Sequence, residues 1–403
     1  MKFCQTIAVV ALATATSSLS AEDWYRWRGP DLNGISREKG WSTQWPAEGP
    51  KRLWRAKVGV GFSSFAVSKG RVFTIGNSAD QDTVFCFDAV TGKELWKYSY
   101  PAKLDPKYYE GGPGSTPTVE GDHVFTFSKQ GVVNCLDAAT GKVVWSKNLM
   151  DELKLEMPTW GFSGSPYIEG DLCVLNAGSA GVALDKKTGK VVWKSGTSVS
   201  GYATPVPLNV GADRAVALFA ADSIIAVRLK DGGELWRHPW KTQYDVNAAD
   251  PIFHDGKVFI SSGYNRGGSV VDLGGPAPKA VWENKNMRNH FNPSVLIDGH
   301  LYGIDDDSTR PNAALTCVDF KTGEKKWTEK TGFGSLMVAD GKLIVLTAKG
   351  ELIIAEPSPE SFKPIARAQV LGGKCWTTPV LSHGKIYCRN AAGDVVCVDV
   401  SGK

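Results

Sequence analysis

DAATGKVVW, residues 137–145, recurs along the chain: as DAVTGKELW at 88–96, DKKTGKVVW at 185–193 and DFKTGEKKW at 319–327. Looser copies end in KDGGELW at Trp236 and APKAVW at Trp282. Trp96, Trp145, Trp193, Trp236, Trp282 and Trp327 stand 43 to 49 residues apart. A period of that size marks a repeat architecture, in which each unit buries its apolar face against the next. Within the motif two β-type runs flank a short turn, the mark of a hairpin. The Asp carboxylate can accept backbone N–H groups two residues on, and the Gly supplies the positive φ that ends the turn. A Trp at a fixed offset on the returning strand reads as packing against the neighbouring unit.

Each unit opens on a small or polar residue, often followed by Pro, as in STPTV at 115–119, ADPIF at 249–253 and TTPVL at 377–381. A tight polar turn follows, then a β-rich run such as HVFTF or KLIVL, a third strand before the Asp, and the Trp strand. Four short strands per unit describe the blade of a β-propeller. First strands start at Phe65, Thr116, Ser165 and Thr204, then at Asp250, Asn292, Gly334 and Thr378. The seventh unit replaces its Asp–Trp turn by EPSPESFKPIARAQV at 356–370, and the eighth runs out at VCVDVSGK without a Trp strand. KRLWRAKV at 51–58 places Trp54 42 residues before Trp96 and supplies the missing strand. The sequence therefore predicts an all-β fold, a single eight-bladed propeller over 54–403, with the ring closed by the N-terminal strand around Trp54.

Residues 1–21 read as a secretory signal peptide: one Lys, an apolar stretch over 7–13 and small residues up to Ala21. That stretch is too short to span a bilayer. Export to the periplasm or outside the cell, as a soluble protein and a monomer, is expected. Residues 22–53 carry Trp24, Trp27, Trp41 and Trp45 without a clean period. They are expected to lie over the propeller surface with their aromatics packed; the alternative is an exposed aromatic patch for a partner. A formal net charge of +4, with no Lys/Arg run, predicts neither nucleic acid nor an anionic membrane as partner.

With Trp after the turn, DxxTGxxxW resembles the quinoprotein-type (PQQ-like) propeller repeat, from Trp54 to the C-terminus. WYRWRGPDLNG at 24–34 resembles a leader found on secreted propellers of this group. The resemblance spans PQQ-dependent alcohol dehydrogenases and the outer-membrane assembly lipoprotein BamB, so it implies the fold and leaves enzyme and scaffold both open. It implies, for the dehydrogenases, a quinone stacked on an aromatic in the central funnel. Calcium is held there by a Glu and an Asn, an Asp acts as base, and a disulfide joins adjacent cysteines. This sequence has no Cys–Cys pair and no CxxCH. It is also shorter than typical dehydrogenases. Cys4 precedes the apolar stretch, whereas a lipoprotein's acylated Cys follows it. No cofactor is expected; PQQ with calcium belongs only to the dehydrogenase alternative.

Cys86, Cys135, Cys317 and Cys397 each fall two residues before a turn Asp or its equivalent, a small buried strand position, so buried thiols rather than disulfides are expected. His123, His254, His300 and His383 fall at first hairpin turns, and no pair has metal-ligand spacing. The remaining candidates lie on loops entering the innermost strands, where propeller sites form. At the channel mouth these are Trp160, Tyr202, Asn247 and Asp250, with His290, Asn292 and Trp376. Trp160 or Trp376 could stack a ring, and Asn247 with Asp250 could hold a cation or a polar group. Against this stands the reading that the aromatics plug the channel. Two rim loops add Tyr264 and Arg266, then Asp305, Asp306, Asp307 and Arg310. The first function read from the sequence is a non-enzymatic binding or assembly scaffold that holds protein partners through its rim loops. The second is a quinone-dependent dehydrogenase with Asp250 as base, and the third is carbohydrate binding.

Overall fold

The computed structural model describes residues 21–306 and 312–402. The signal-peptide reading, apart from Ala21, and the rim candidates Asp307 and Arg310 lie outside them. Eight sheets follow one another around the ring, each built on four antiparallel strands. They span 66–101, 118–148, 167–194, 206–239, 252–284, 295–329, 334–369 and 380–399, and are numbered here as blades one to eight. This is the eight-bladed propeller that the repeats predict. Blade eight holds only three strands of its own. Its outer strand is Arg52–Lys57, antiparallel to Asp394–Asp399 with Trp54 opposite Cys397. The ring closes inside the repeated turn itself. Asp399 donates its N–H to Lys51 O, as Asp88 does to Lys93 O within blade one.

The repeated motif explains the packing between blades. Asp137 Oδ1 accepts the N–H groups of Ala139 and Thr140 and the Thr140 hydroxyl, and Asp88 and Asp185 do the same. Each bonded turn then lies on the tryptophan of the preceding blade. The Trp145 indole N–H donates to Lys186 O, Trp96 to Ala138 O and Trp193 to Leu229 O, at 2.8–3.0 Å. The turn glycine needs its missing side chain as well as its positive φ. A Cβ on Gly189, at φ 70°, would sit 2.7 Å from the Trp145 ring. Across the strand pair, Trp96, Trp145, Trp327 and Trp54 face Cys86, Cys135, Cys317 and Cys397, so a small residue there leaves room for the indole. All seven described cysteines are buried free thiols. Trp236, Trp282 and Trp327 are only partly buried. Blade seven lacks the Asp–Trp turn, yet Ser358 O still receives the Trp327 indole N–H.

The N-terminal segment packs on the propeller. It crosses one end of the ring axis, visiting the inner strands in turn. Trp24 O accepts from Val67 in blade one, and Tyr25 O from Val119 in blade two. Arg26 lies 5.7 Å from the Tyr167 ring of blade three. Arg28 donates to Ser294 O at the start of blade six. Ile35–Ser36 adds a parallel fifth strand to blade seven. The Glu38 carboxylate accepts the N–H groups of His383 and Gly384 in blade eight. Trp24 and Trp41 are buried at 2% and 5% exposure, so they form no exposed patch.

Candidate functional site

The opposite end of the axis is a funnel, and its geometry starts from the first residues of the inner strands. Ser64 donates its N–H to Thr116 Oγ1, Thr116 to Ser165 Oγ and Ser165 to Thr204 Oγ1, each at 3.0 Å. Thr204 donates to Asp250 Oδ1 at 2.8 Å. These are positions that mark strand starts in the sequence, and the hydroxyl at each one links a blade to the next. Asp250 puts a carboxylate where its neighbours have hydroxyls. Its second oxygen accepts the Trp27 indole N–H at 2.6 Å and lies 3.9 Å from Arg28 Nε. Burial pushes the Asp250 carboxyl up to about 6 and the Arg28 guanidinium down to about 10, with their mutual attraction opposing both shifts. Trp27 and Asp250 form the floor of a cavity of about 660 Å³.

Aromatic rings surround that cavity. Phe62 stacks on Trp376 at 5.6 Å, and Trp376 meets Phe291 at 5.4 Å. Phe291 meets His290, His290 packs edge-on against Tyr264 at 4.7 Å, and Tyr264 against Tyr244 at 5.4 Å. Tyr244 leads to Trp160 and Trp160 to Tyr202. Phe62 also meets Tyr109. Between Tyr109 and Trp160 the lining is completed by Lys129, whose ammonium lies 5.3 Å from the Tyr109 ring, and by Lys107, which donates to Thr159 O. Tyr108, Tyr244 and Tyr264 have φ of 64°, 64° and 50°, a left-handed conformation that is costly for bulky side chains and concentrates at ligand sites. Tyr244 is 56% exposed.

The charged groups of the lining are matched. Lys107 lies 3.0 Å and Lys129 4.0 Å from Asp105. Burial lowers the Lys129 pKa against the pull of Asp105. His290 Nδ1 and Asp306 Oδ2 are 3.1 Å apart. That contact holds one ring nitrogen and leaves Nε2 without a hydrogen-bond partner among the described residues.

Of the sequence candidates, Trp160, Tyr202, Asp250, His290, Asn292 and Trp376 line the cavity, as do Tyr264 and Asp306 from the rim. They surround an open funnel instead of plugging it. Asn247 is not in the lining. Its amide donates to Ala220 O, Ala221 O and Trp240 O and accepts from the Ser262 hydroxyl, so it braces two loops and cannot join Asp250 around a cation. Arg266 lies 3.6 Å over the Trp240 ring and pairs with Glu283, away from the cavity. Asp305 pairs with Arg288. Among the described residues no three His, Cys, Asp or Glu side chains come together to hold a metal ion. The sequence reading missed Trp27, Lys107, Lys129, Tyr244 and Phe291. Phe291 lies between His290 and Asn292, which it singled out, but nothing local marks Trp27, whose partner Asp250 is 223 residues away.

Eight blades around an aromatic funnel, tied by tryptophans after DxxTG turns, define a quinoprotein-type propeller. The chain belongs to the family described as outer membrane protein assembly factor BamB, whose model matches residues 38–113 and 105–329. Solved structures of the same fold include BamB from Moraxella catarrhalis, at 16% identity and a TM-score of 0.63 over 87% of this chain and 97% of that one. Another is the quinohemoprotein alcohol dehydrogenase of Comamonas testosteroni, at 14% identity and 0.67 over 94% and 81%. A europium-containing methanol dehydrogenase matches at 13% identity and 0.67 over 91% and 88%. No curated protein matches the chain.

Proposed function

We propose that the protein is an exported, non-enzymatic binding propeller whose central funnel is the recognition site. The observation that carries this reading is an open cavity of about 660 Å³ walled by aromatic rings, within the roughly 300–1,000 Å³ usual for small-ligand pockets. Among the described residues no helix is long and apolar enough to cross a membrane, which is compatible with export in free form. Membership of the assembly-factor family supports a second reading, in which the same face docks a protein partner.

The residues present do not fit a quinone with calcium. Asn247 is committed to three carbonyls, Asp250 is held by Trp27 and Thr204, and the described cysteines are separate free thiols. The lysines of the lining already face Asp105. The test is a titration with 1-naphthol followed by tryptophan fluorescence, beside a dye-linked dehydrogenase assay with PQQ and calcium. Saturable quenching that weakens in Tyr244→Gly, without dye reduction, is expected. Glycine suits the φ of 64° there, so that variant should stay folded. Quenching unchanged in the variant, or PQQ-dependent turnover, would sink the reading.

A further inference from the structure

We infer that the funnel recognises the terminal residues of a neutral saccharide. This rests on the funnel being a binding site, and it adds the class of ligand. The first argument is charge. Among the described residues, the charged groups of the lining are engaged: Lys107 and Lys129 share Asp105, and Asp250 faces Arg28. Asp306 has His290. A carboxylate or phosphate ligand would lose its hydration there without gaining an uncommitted cation, and burying an uncompensated charge is costly. A cationic ligand meets the same difficulty, because Asp250 and Asp306 are themselves buried and engaged.

The second argument is the alternation of surfaces. A pyranose has apolar C–H faces and a hydroxyl edge. Trp160 offers a flat aromatic surface in the wall, and Tyr244 and Tyr264 present rings that end in hydroxyls. His290 supplies a directional group between them. With Nδ1 held by Asp306, Nε2 is the ring nitrogen left to meet a ligand hydroxyl. A ligand without hydroxyl groups would have no use for that nitrogen. The third argument is the floor. Trp27, held by Asp250, lines the cavity from the segment that crosses the far end of the axis, a placement that favours a chain end over a threaded polysaccharide.

The test is displacement of bound 1-naphthol by a panel of neutral trisaccharides of glucose, mannose and xylose at millimolar concentration, beside trigalacturonate. The wild type and His290→Phe are compared. Phe keeps the packing against Tyr264 and removes that nitrogen. At least one neutral trisaccharide should displace the probe, with trigalacturonate weaker by about tenfold or more. His290→Phe should lower saccharide affinity by a similar factor relative to the naphthol affinity measured in the same variant. If naphthol binds and no neutral saccharide displaces it, the saccharide assignment is wrong and the binding reading stands. Equal affinity for trigalacturonate, or an unchanged affinity in His290→Phe, also overturns the assignment. If naphthol itself does not bind, both readings fail.

Discussion

Asp250 is where burial, charge and position meet in one side chain. Its carboxyl is nearly inaccessible and rises to about 6 because desolvation outweighs Arg28 and the two hydrogen bonds it accepts. A carboxyl whose folded pKa lies above its ordinary value stabilises the fold most when protonated. That contribution is complete below the ordinary value of 3.8 and is lost as the pH rises through about 6. Asp250→Asn keeps an acceptor for Thr204 and does not titrate. The stability of the wild type relative to this variant should therefore fall by up to about 3 kcal/mol from about pH 4 to about pH 7, read from urea midpoints. A difference that is flat, or that grows with pH, would show that the Arg28 contact outweighs burial. The prominence of Asp250 is legible in the sequence, because it opens a first strand where four of the other blades have Thr or Ser. Its role is not, since Trp27 and Arg28 reach it from an aperiodic segment more than 200 residues away in the chain. The same holds for Asn247, whose amide type suggested a ligand group while its contacts are all with neighbouring loops.

At the scale of the element, the DxxTGxxxW hairpin is legible because its determinants are local: the Asp bonds residues two and three ahead, and the glycine turns the chain. What the hairpin rests on is not local. Its glycine covers a tryptophan from the preceding blade, and that indole N–H finds a carbonyl 41 residues on, as between Trp145 and Lys186. Two substitutions on the two sides of this contact test it. Trp145→Ala should cost about 3–5 kcal/mol, the usual range for a buried Trp truncation. Gly189→Ala places a Cβ 2.7 Å from the ring at a φ of 70°, and should cost at least the roughly 1–3 kcal/mol of a left-handed non-glycine residue. The pair share one contact, so the double variant should lose less than the sum of the singles. Strict additivity in thermal or chemical unfolding would mean that the turn and the tryptophan act independently. The degenerate blade seven shows which part of the device matters to its neighbour. It has lost the Asp and the Trp, yet it still offers Ser358 O to Trp327.

The whole molecule depends on a junction that no repeat encodes. Blades one and eight meet where the chain's two ends do, and Arg389 stands between them, fully buried. It donates from Nη1 to Ser63 O, Thr74 Oγ1 and Ile75 O, and from Nη2 to Gly59 O. No ion pair of Arg389 occurs among the described residues, and desolvation lowers its guanidinium to about 9. A cation held only by carbonyls and a hydroxyl is a costly way to satisfy acceptors, but a planar fork reaches several at once, which no shorter side chain could do. The eight-blade count and the closing strand follow from motif positions, so the ring is legible. The latch is not, because it is a single residue at the end of an ordinary strand. Arg389→Met should leave Ile75 O and Gly59 O without this donor, while Ser63 O keeps the Thr74 hydroxyl. At about 1–3 kcal/mol per unsatisfied buried group, less the relief from no longer burying a cation, the net loss should be roughly 2–4 kcal/mol. Repeat units are stabilised mainly by their nearest neighbours, so the damage should also be local. Hydrogen exchange in Arg389→Met is expected to accelerate first over 58–89 and 380–399, while blades three to five keep their protection. Uniform acceleration around the ring would instead mean that closure couples all eight blades into one unit, with no weakest junction. In that case the strand Arg52–Lys57 would stabilise distant blades as strongly as the two it joins.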